Sequence, residues 1–411
     1  MKICFFNRSY WPDQAATGQL LTELAEDLVA CHACEVTVVV GRPLNAPRVD
    51  GGSLGLVHRE DRNGVRILRA NGTTLRPRRF IGRVTNYLSY AASATLAGLD
   101  VGRPDVVVSL TDPPIIGLVA RWAARRTGAR FVFLCEDIFP EVASLLEDFH
   151  NPAVNRLLDR INRRLLRDAD AIVALGDRMQ QRLVEEKGAD PHRVQVIHNW
   201  ADCDAIQPGS KDNAFSRAHG LADRFVVMHS GNIGLSQNLD VLIEAAERLR
   251  GKERLVIAIV GDGARRAPLE RAAAERGLAN VRFFPYQPKA LLHDSFAAAD
   301  AFLISLKPGL EGYIVPSKLY GILAAGRPYV AAVDPSCEVA QLAAACHCGV
   351  AATPGDPAAL AGAIAGLYDD PAAARTMGEH ARAVAWRFDR RAAIAAYYDL
   401  LLRVNRVAYA A

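Results

Sequence analysis

The chain has 411 residues, half of them hydrophobic and 23% charged, with a formal net charge of +4. That length supports more than one buried core, so two domains are the default expectation, and the near balance of charge argues against a generally basic protein. Eight cysteines in a chain of this size are too sparse for a disulfide scaffold. The opening Met1-Lys2-Ile3-Cys4-Phe5-Phe6-Asn7 reads as a first strand, without the charged and then long apolar segments of a secretion signal. Short apolar runs then alternate with amphipathic stretches, which is the pattern of βαβ units in parallel sheets. Strands are predicted over 2–7, 35–40, 65–69, 106–110, 130–134 and 171–174, with helices over 18–31, 115–127 and 151–167. The series ends near Val196-Ile197-His198-Asn199-Trp200, and the polar segment 208–213 reads as a linker. It restarts with strands over 225–230, 255–260, 281–284, 301–305 and 329–333. Two doubly wound α/β domains follow, whose ligands belong in the loops at the carboxyl ends of the strands.

Three loops of the second half carry the strongest signals. Ser230-Gly231-Asn232-Ile233-Gly234 and Val260-Gly261-Asp262-Gly263 each follow an apolar strand, where glycines let the backbone approach a ligand closely. The third runs from Pro308 through Glu311 to Pro316-Ser317-Lys318, enters a helix and ends it at Gly326. Lys318 in a first helical turn opposes the helix dipole, which an anion such as phosphate would relieve. In the first half, Asp137 follows a strand and reads either as a reactive carboxylate or as a helix cap. The helix start Thr17-Gly18-Gln19 reads as a donor of backbone N–H groups or as a plain cap. Cys31-His32-Ala33-Cys34 and Cys346-His347-Cys348 lack the paired spacing of a zinc site and read as structural.

These segments resemble glycosyltransferase family 4, particularly its bacterial capsule, O-antigen and exopolysaccharide subgroup of the colanic-acid type. The resemblance rests on Ser230 to Gly234, Gly261-Asp262-Gly263, Pro316-Ser317-Lys318 and the stretch from Asp334 to Glu338. It extends to Trp11-Pro12-Asp13 through Thr17-Gly18-Gln19, similar to the family's acceptor-side glycine loop, and to Glu136-Asp137-Ile138-Phe139-Pro140. The resemblance implies a GT-B fold, two facing Rossmann-like doubly wound domains with an interdomain cleft. It also implies a nucleoside diphosphate sugar donor, retention of anomeric configuration, hexosyl or N-acetylhexosaminyl transfer, and no metal or other cofactor.

On this reading residues 1–205 bind the acceptor, 206–385 bind the donor, and 386–411 form a helix returning to the first domain. Asp137, Lys318 and Glu311 are the catalytic candidates, with Gly231, Asn232, Gly261, Asp262, Gly263, Pro316, Ser317, Lys318 and Glu338 at the donor and Thr17, Gly18 and Gln19 at the acceptor or phosphate loop. The chain departs from the family pattern in one respect, because its usual pair of glutamates seven residues apart would fall near Tyr313 and Gly321. Glu311 or Glu338 then meets the donor sugar or ribose instead. The family's arginine and lysine after the first strand of this half are here Asn232 and Gln237, which leaves more of the diphosphate charge to Lys318.

Residues 62–99 contain Arg62, Arg66, Arg69, Arg76, Arg78, Arg79 and Arg83 and no acid. Arg156, Arg160, Arg163, Arg164 and Arg167 recur at helical spacing opposite Leu157, Leu158, Ile161 and Leu165. Together they suggest attraction to an anionic membrane surface at roughly 1 kcal/mol per basic residue, and the family resemblance adds a lipid-linked saccharide acceptor. The stretch 84–99 is interrupted by polar residues and falls short of the roughly 20 apolar residues that span a bilayer, so a cytoplasmic enzyme, peripheral at the inner membrane, is expected. Rivals are a dehydrogenase, disfavoured because Asn7-Arg8-Ser9-Tyr10-Trp11 replaces a Gly-x-Gly-x-x-Gly after the first strand, a GT-B nucleotide-sugar epimerase and a catalytically silent sugar-binding partner. Nucleic-acid binding carries less weight, for the arginines lack a reading module.

Overall fold

The computed structural model describes residues 1–13, 15–43, 55–75, 80–146 and 151–406. It divides into two compact units, Met1–His198 together with the chain from Ile394 onward, and Asn199–Ala393. The first unit thus ends ahead of the expected boundary at 205, and the second continues past 385.

In the first unit, β1 (Lys2–Phe6), β2 (Glu35–Val40), β3 (Val57–Arg62), β4 (Val65–Ala70), β5 (Val106–Ser109), β6 (Arg130–Cys135), β7 (Ala171–Ala174) and β8 (Val194–Val196) form a sheet in the order β3-β4-β2-β1-β5-β6-β7-β8. All pairings are parallel except β3 with β4. The strand order reverses between β1 and β5, where the loops after these strands separate and leave a crevice. Helices Ala16–His32, Phe80–Ala97 and Ile116–Thr127 cover the faces. The helix over the nonpolar stretch is fastened to the sheet, since buried Tyr90 donates its hydroxyl to Asn7 O at 2.8 Å. From Ile394 the C-terminal helix Arg390–Arg406 belongs to this unit, with Tyr398 stacked on His32 at 4.0 Å.

The second unit holds β9 (Phe225–Ser230), β10 (Leu255–Val260), β11 (Val281–Phe284), β12 (Ala301–Ser305), β13 (Tyr329–Ala332) and β14 (Gly349–Ala352), all parallel, in the order β11-β10-β9-β12-β13-β14. Successive side chains enter opposite cores. Val226 and Met228 pack with Phe302, Leu319 and Tyr320 on one face, while Val227 packs with Leu242, Ile243 and Leu360 on the other. The order reverses between β9 and β12, so the loops at this crevice are 231–234 and the segment leading to Lys318.

Three arginines of the expected basic patch are paired with acids. Arg62 pairs with Glu26 at 2.9 Å, Arg66 with Asp100 at 2.8 Å, and buried Arg69 with Glu60 at 2.8 Å. The segment lacks acids of its own, but the fold brings them from neighbouring elements. Arg76, Arg78 and Arg79 lie outside the described residues. On helix Pro152–Asp168, Arg163 is taken by Asp159 at 2.7 Å and by the Glu186 carbonyl, whereas Arg156, Arg160, Arg164 and Arg167 are exposed beside exposed Leu157. Among the described residues no helix is long and apolar enough to cross a membrane.

Candidate functional site

In the second unit, helix Lys318–Ala324 starts at the lysine itself. Its side chain turns back across the crevice, so that an added Cβ on Gly231 would lie 3.8 Å from Lys318 Nζ. Among the described residues no carboxylate pairs with this ammonium; its contact is His229, with both ring nitrogens 3.3 Å from Nζ. Burial pushes the Lys318 pKa down to about 7. The side chain is half-buried and lies against His229 instead of extending into solvent.

The glycines beneath it are required by one loop packing on another. Gly231 has φ +123° and Gly261 φ +139°, values that favour glycine, and a Cβ on Gly261 would run into the Gly231 carbonyl. A Cβ on Gly263 would meet Ile233 O and Asn232 Oδ1. Backbone bonds join the two loops, from Gly231 N to Val260 O at 3.0 Å and from Ile233 N to Asp262 O at 2.8 Å. Gln237 Oε1 accepts from Gly234 N at 2.9 Å, so this residue braces the loop. Asp262 is exposed and accepts from Gly263 N at 2.7 Å.

Pro316 and Ser317 immediately precede the Lys318 helix, and Ser317 makes no side-chain cap. Glu311 lies on the approach, bridged to Ile314, and Glu338 opens helix Glu338–Cys346 after β13. Both act on the thiol of Cys337, together with Asp334; burial is the main cause that raises this thiol to about 12. The fold therefore brings Glu311 and Glu338 to one neighbourhood although 27 positions separate their numbers.

The corresponding crevice of the first unit gathers carboxyl groups. Asp137 N donates to Thr111 Oγ1 at 3.3 Å, and Asp112 accepts from Arg8 Nε at 3.1 Å and Ser9 Oγ at 2.8 Å. Burial, and after it the charge of Asp112, raises the Asp137 carboxyl to about 7. Glu136 also rises to about 7 through burial, opposed by its bond from Thr17 and reinforced by Asp137 and Asp112. Thr17 does not cap its helix; its hydroxyl donates to Glu136 Oε2 at 2.8 Å. Nor is Gln19 N–H available to a ligand, for it bonds Ala15 O at 3.0 Å. Gly18 lets the helix start close on the β1 loop, where a Cβ would sit 3.2 Å from Tyr10 N. Arg8, Asp112, Glu136 and His229 are members of these two clusters that the sequence did not single out as site residues. Their common signal is position near the carboxyl end of a strand: Arg8 and Asp112 follow β1 and β5 and His229 lies in β9, strands that flank reversals of strand order, and Glu136 follows β6 next to β5.

Among the described residues no group of three or more His, Cys, Asp or Glu is arranged to hold a metal ion, and all eight cysteines are free.

A glycosyl transferase 4-like domain model matches residues 16–200, and a glycosyl transferases group 1 model matches residues 211–384, one in each structural unit. The chain belongs to the family 4 glycosyltransferases. It is 30% identical over 263 residues to the glycosyltransferase WbjE of Pseudomonas aeruginosa, covering 63% of this chain and 65% of that one, just under two thirds. It is 28% identical over 353 residues to WcaI of Escherichia coli K12, a glycosyl transferase by name assigned to colanic acid biosynthesis, covering 83% and 86%. Anabaena HepE in complex with UDP superposes with a TM-score of 0.73 at 17% identity over 98% of this chain and 100% of that one, a likeness of fold. This family 4 chain has the GT-B fold.

Proposed function

We propose that this glycosyltransferase moves a hexosyl or N-acetylhexosaminyl group from a nucleoside diphosphate sugar to a saccharide acceptor in cell-surface polysaccharide biosynthesis, with retention of configuration and without a metal. The observation that carries the donor assignment is Lys318, a half-buried ammonium without a carboxylate partner among the described residues, held over Gly231. A diphosphate supplies the missing negative charge, most strongly as the bond from the sugar C1 to the phosphate oxygen breaks and charge develops on the leaving group. The Gly231–Gly234 and Gly261–Gly263 loops floor the site with Asn232 and Asp262, Pro316 and Ser317 lead into Lys318, and Glu311 and Glu338 meet the sugar and ribose hydroxyls. In the first unit Asp137 is our candidate to bind the acceptor hydroxyl, beside Glu136 and the Thr17-Gly18-Gln19 helix start. HepE's complex with UDP and the name of WcaI support a nucleotide-sugar donor and a polysaccharide product.

The acceptor we favour is lipid-linked, with the first unit resting on the cytoplasmic face of the inner membrane. Exposed Leu157 among Arg156, Arg160 and Arg164 supports that contact. Co-sedimentation with liposomes that ignores both anionic lipid and salt would remove it.

The test of transfer is a panel of nucleoside diphosphate sugars, read by thermal shift and by release of nucleoside diphosphate. Release that requires a saccharide acceptor is the expected result. Interconversion of sugars without acceptor would make the chain an epimerase, binding without any turnover would make it a silent sugar-binding partner, and nicotinamide binding alone would overturn the reading.

A further inference from the structure

His229 occupies the penultimate position of β9 and is 0% exposed. Its Nε2 lies 3.2 Å from Asn232 O, an atom that can only accept, so Nε2 carries the ring proton. Nδ1 carries no proton, and Lys318 Nζ stands 3.3 Å from it and equally 3.3 Å from Nε2, against the face of the ring. Burial, and then the neighbouring ammonium, holds the imidazole well below the ordinary histidine range, so it remains neutral at physiological pH.

We propose that His229 is a positioning residue for the donor: a neutral imidazole that ties the Gly231–Gly234 loop to Lys318 and presents the lysine ammonium to the donor diphosphate. The proposal rests on the donor reading of this loop and this lysine. A lysine side chain has four flexible carbons, and ordering it costs roughly 1.5–2 kcal/mol of rotamer entropy. A rigid neutral ring already in contact with Nζ meets that cost before the ligand arrives. The acceptor's lack of charge matters equally. A carboxylate in the place of Nδ1 would form an ion pair that the diphosphate must break, whereas an imidazole orients the ammonium and leaves its charge available. Through Asn232 O the same ring fixes the loop whose glycine lies below Nζ, so loop and lysine are set by one side chain.

This arrangement makes donor binding proton-linked. Among the described residues the group that contacts Nζ is His229, burial is the cause of the lysine's lowered pKa, and no carboxylate opposes it. Near pH 7 a large share of the free protein therefore carries a neutral Lys318. An incoming diphosphate favours the charged form and draws in a proton. Affinity is then greatest below pH 7 and falls by up to tenfold per unit above it, until the lysine of the complex itself deprotonates.

The experiment is isothermal titration of the full chain with pyrophosphate and with nucleoside diphosphates between pH 6 and pH 9, in buffers of differing ionisation enthalpy. Two replacements separate the two contacts. His229→Gln places an amide near Nε2, keeping the link to Asn232 and losing the acceptor on Lys318; His229→Asn keeps an acceptor near Nδ1. We expect about tenfold weaker diphosphate binding for His229→Gln with the pH midpoint moved downward, and a wild-type midpoint for His229→Asn. A purely structural histidine would lower thermal stability in both variants and leave the midpoint in place, which would overturn the proposal. Should both replacements fail to fold, the ring nitrogen shifts of His229 in the wild-type chain decide: a neutral Nε2–H tautomer whose Nδ1 responds to pyrophosphate supports the role, and an imidazolium or Nδ1–H form refutes it. Absence of all diphosphate binding in the wild type would instead defeat the donor reading, and this proposal with it. Wild-type binding whose pH dependence vanishes in Lys318→Ala, while both His229 variants keep the wild-type affinity and midpoint, would defeat this proposal alone.

Discussion

The Thr17 hydroxyl donates a 2.8 Å hydrogen bond to Glu136, 119 positions further along the chain. This bond fastens the first helix to the loop after β6, with the β5 loop between them supplying Asp112. The crevice of the first unit is consequently lined by Asp112, Glu136 and Asp137, with Arg8 already bonded to Asp112. Carboxyl groups of this kind accept hydrogen bonds from sugar hydroxyls when ionised and donate one when protonated, so their protonation near neutrality bears on both stability and turnover.

Glu136 and Asp137 each titrate near 7 in the folded chain, against 4.5 and 3.8 ordinarily. A folded-state pKa above the unfolded one means that the native protein holds more protons between roughly pH 4 and pH 7. Stability then declines as pH rises through that window, at up to about 1.4 kcal/mol per unit for each proton held, and levels off above it. Glu136→Gln and Asp137→Asn are expected to flatten this decline, so each variant gains on the wild type from pH 5 to pH 8 in urea unfolding. An unchanged difference between the two pH values would show that these carboxyls are not held protonated. Activity should move the opposite way, with Asp137→Asn losing at least tenfold in kcat for acceptor-dependent transfer.

Lys318→Ala removes the ammonium from the second unit's crevice without cutting a backbone bond. Charge-assisted hydrogen bonds contribute roughly 1.5–3 kcal/mol, so nucleoside diphosphate affinity should fall about 10- to 100-fold, and free nucleoside affinity far less. Equal losses for nucleoside and nucleoside diphosphate in titration calorimetry would refute a phosphate contact.

Much of the fold was legible because buried parallel strands are short apolar runs between turn signals. Phe225–Ser230, Leu255–Val260, Val281–Phe284 and Ala301–Ser305 fall where periodicity predicts them. β3 escaped notice, since Val57–Arg62 is polar on both faces and pairs at an antiparallel sheet edge. So did β8 and β14, of three and four residues. Lys318 was readable from its place at a helix start after a glycine-rich loop. His229 was not, because one histidine inside Phe225-Val226-Val227-Met228-His229-Ser230 looks like any residue of a buried strand. The arginine excess of 62–99 looks larger in the sequence than around the paired residues: Glu60 and Asp100, just outside that stretch, pair with Arg69 and Arg66, and Glu26, 36 positions before Arg62, is brought alongside it by the fold.

Gly261→Ala tests the packing of one donor loop on the other. The new methyl would occupy a left-handed φ of +139° and press on the Gly231 carbonyl, so the two loops must part. Strain of this kind costs of order 1–3 kcal/mol. The expected outcome is a lower urea midpoint with nucleotide affinity reduced more than in Gly251→Ala, whose added Cβ meets nothing within 4 Å. Matching affinities in the two variants would mean that the loop contact does not shape the site.

Lys187 offers a test of what holds the first unit together. Its side chain is 1% exposed, and Nζ lies 2.7 Å from both Glu141 Oε1 and Asp159 Oδ1, joining helix Glu141–Leu146 to helix Pro152–Asp168. Removing one partner of a buried ion pair leaves charge without compensation, typically at 3–5 kcal/mol; both acids here keep some access to water, so Lys187→Met should cost about 3 kcal/mol in urea unfolding at pH 7. Combining it with Glu141→Gln and Asp159→Asn removes the stranded charges and should restore most of that loss. Acid provides an independent check. Burial alone would raise the Asp159 carboxyl, but bonds from Lys187 and Arg163 hold it below its ordinary value of 3.8. A depressed folded-state pKa contributes stability above the unfolded value, and that stability disappears as pH falls through the folded one. The wild type should therefore lose stability below about pH 4 more steeply than Lys187→Met, and parallel acid profiles for the two would show that Lys187 does not hold Asp159 ionised.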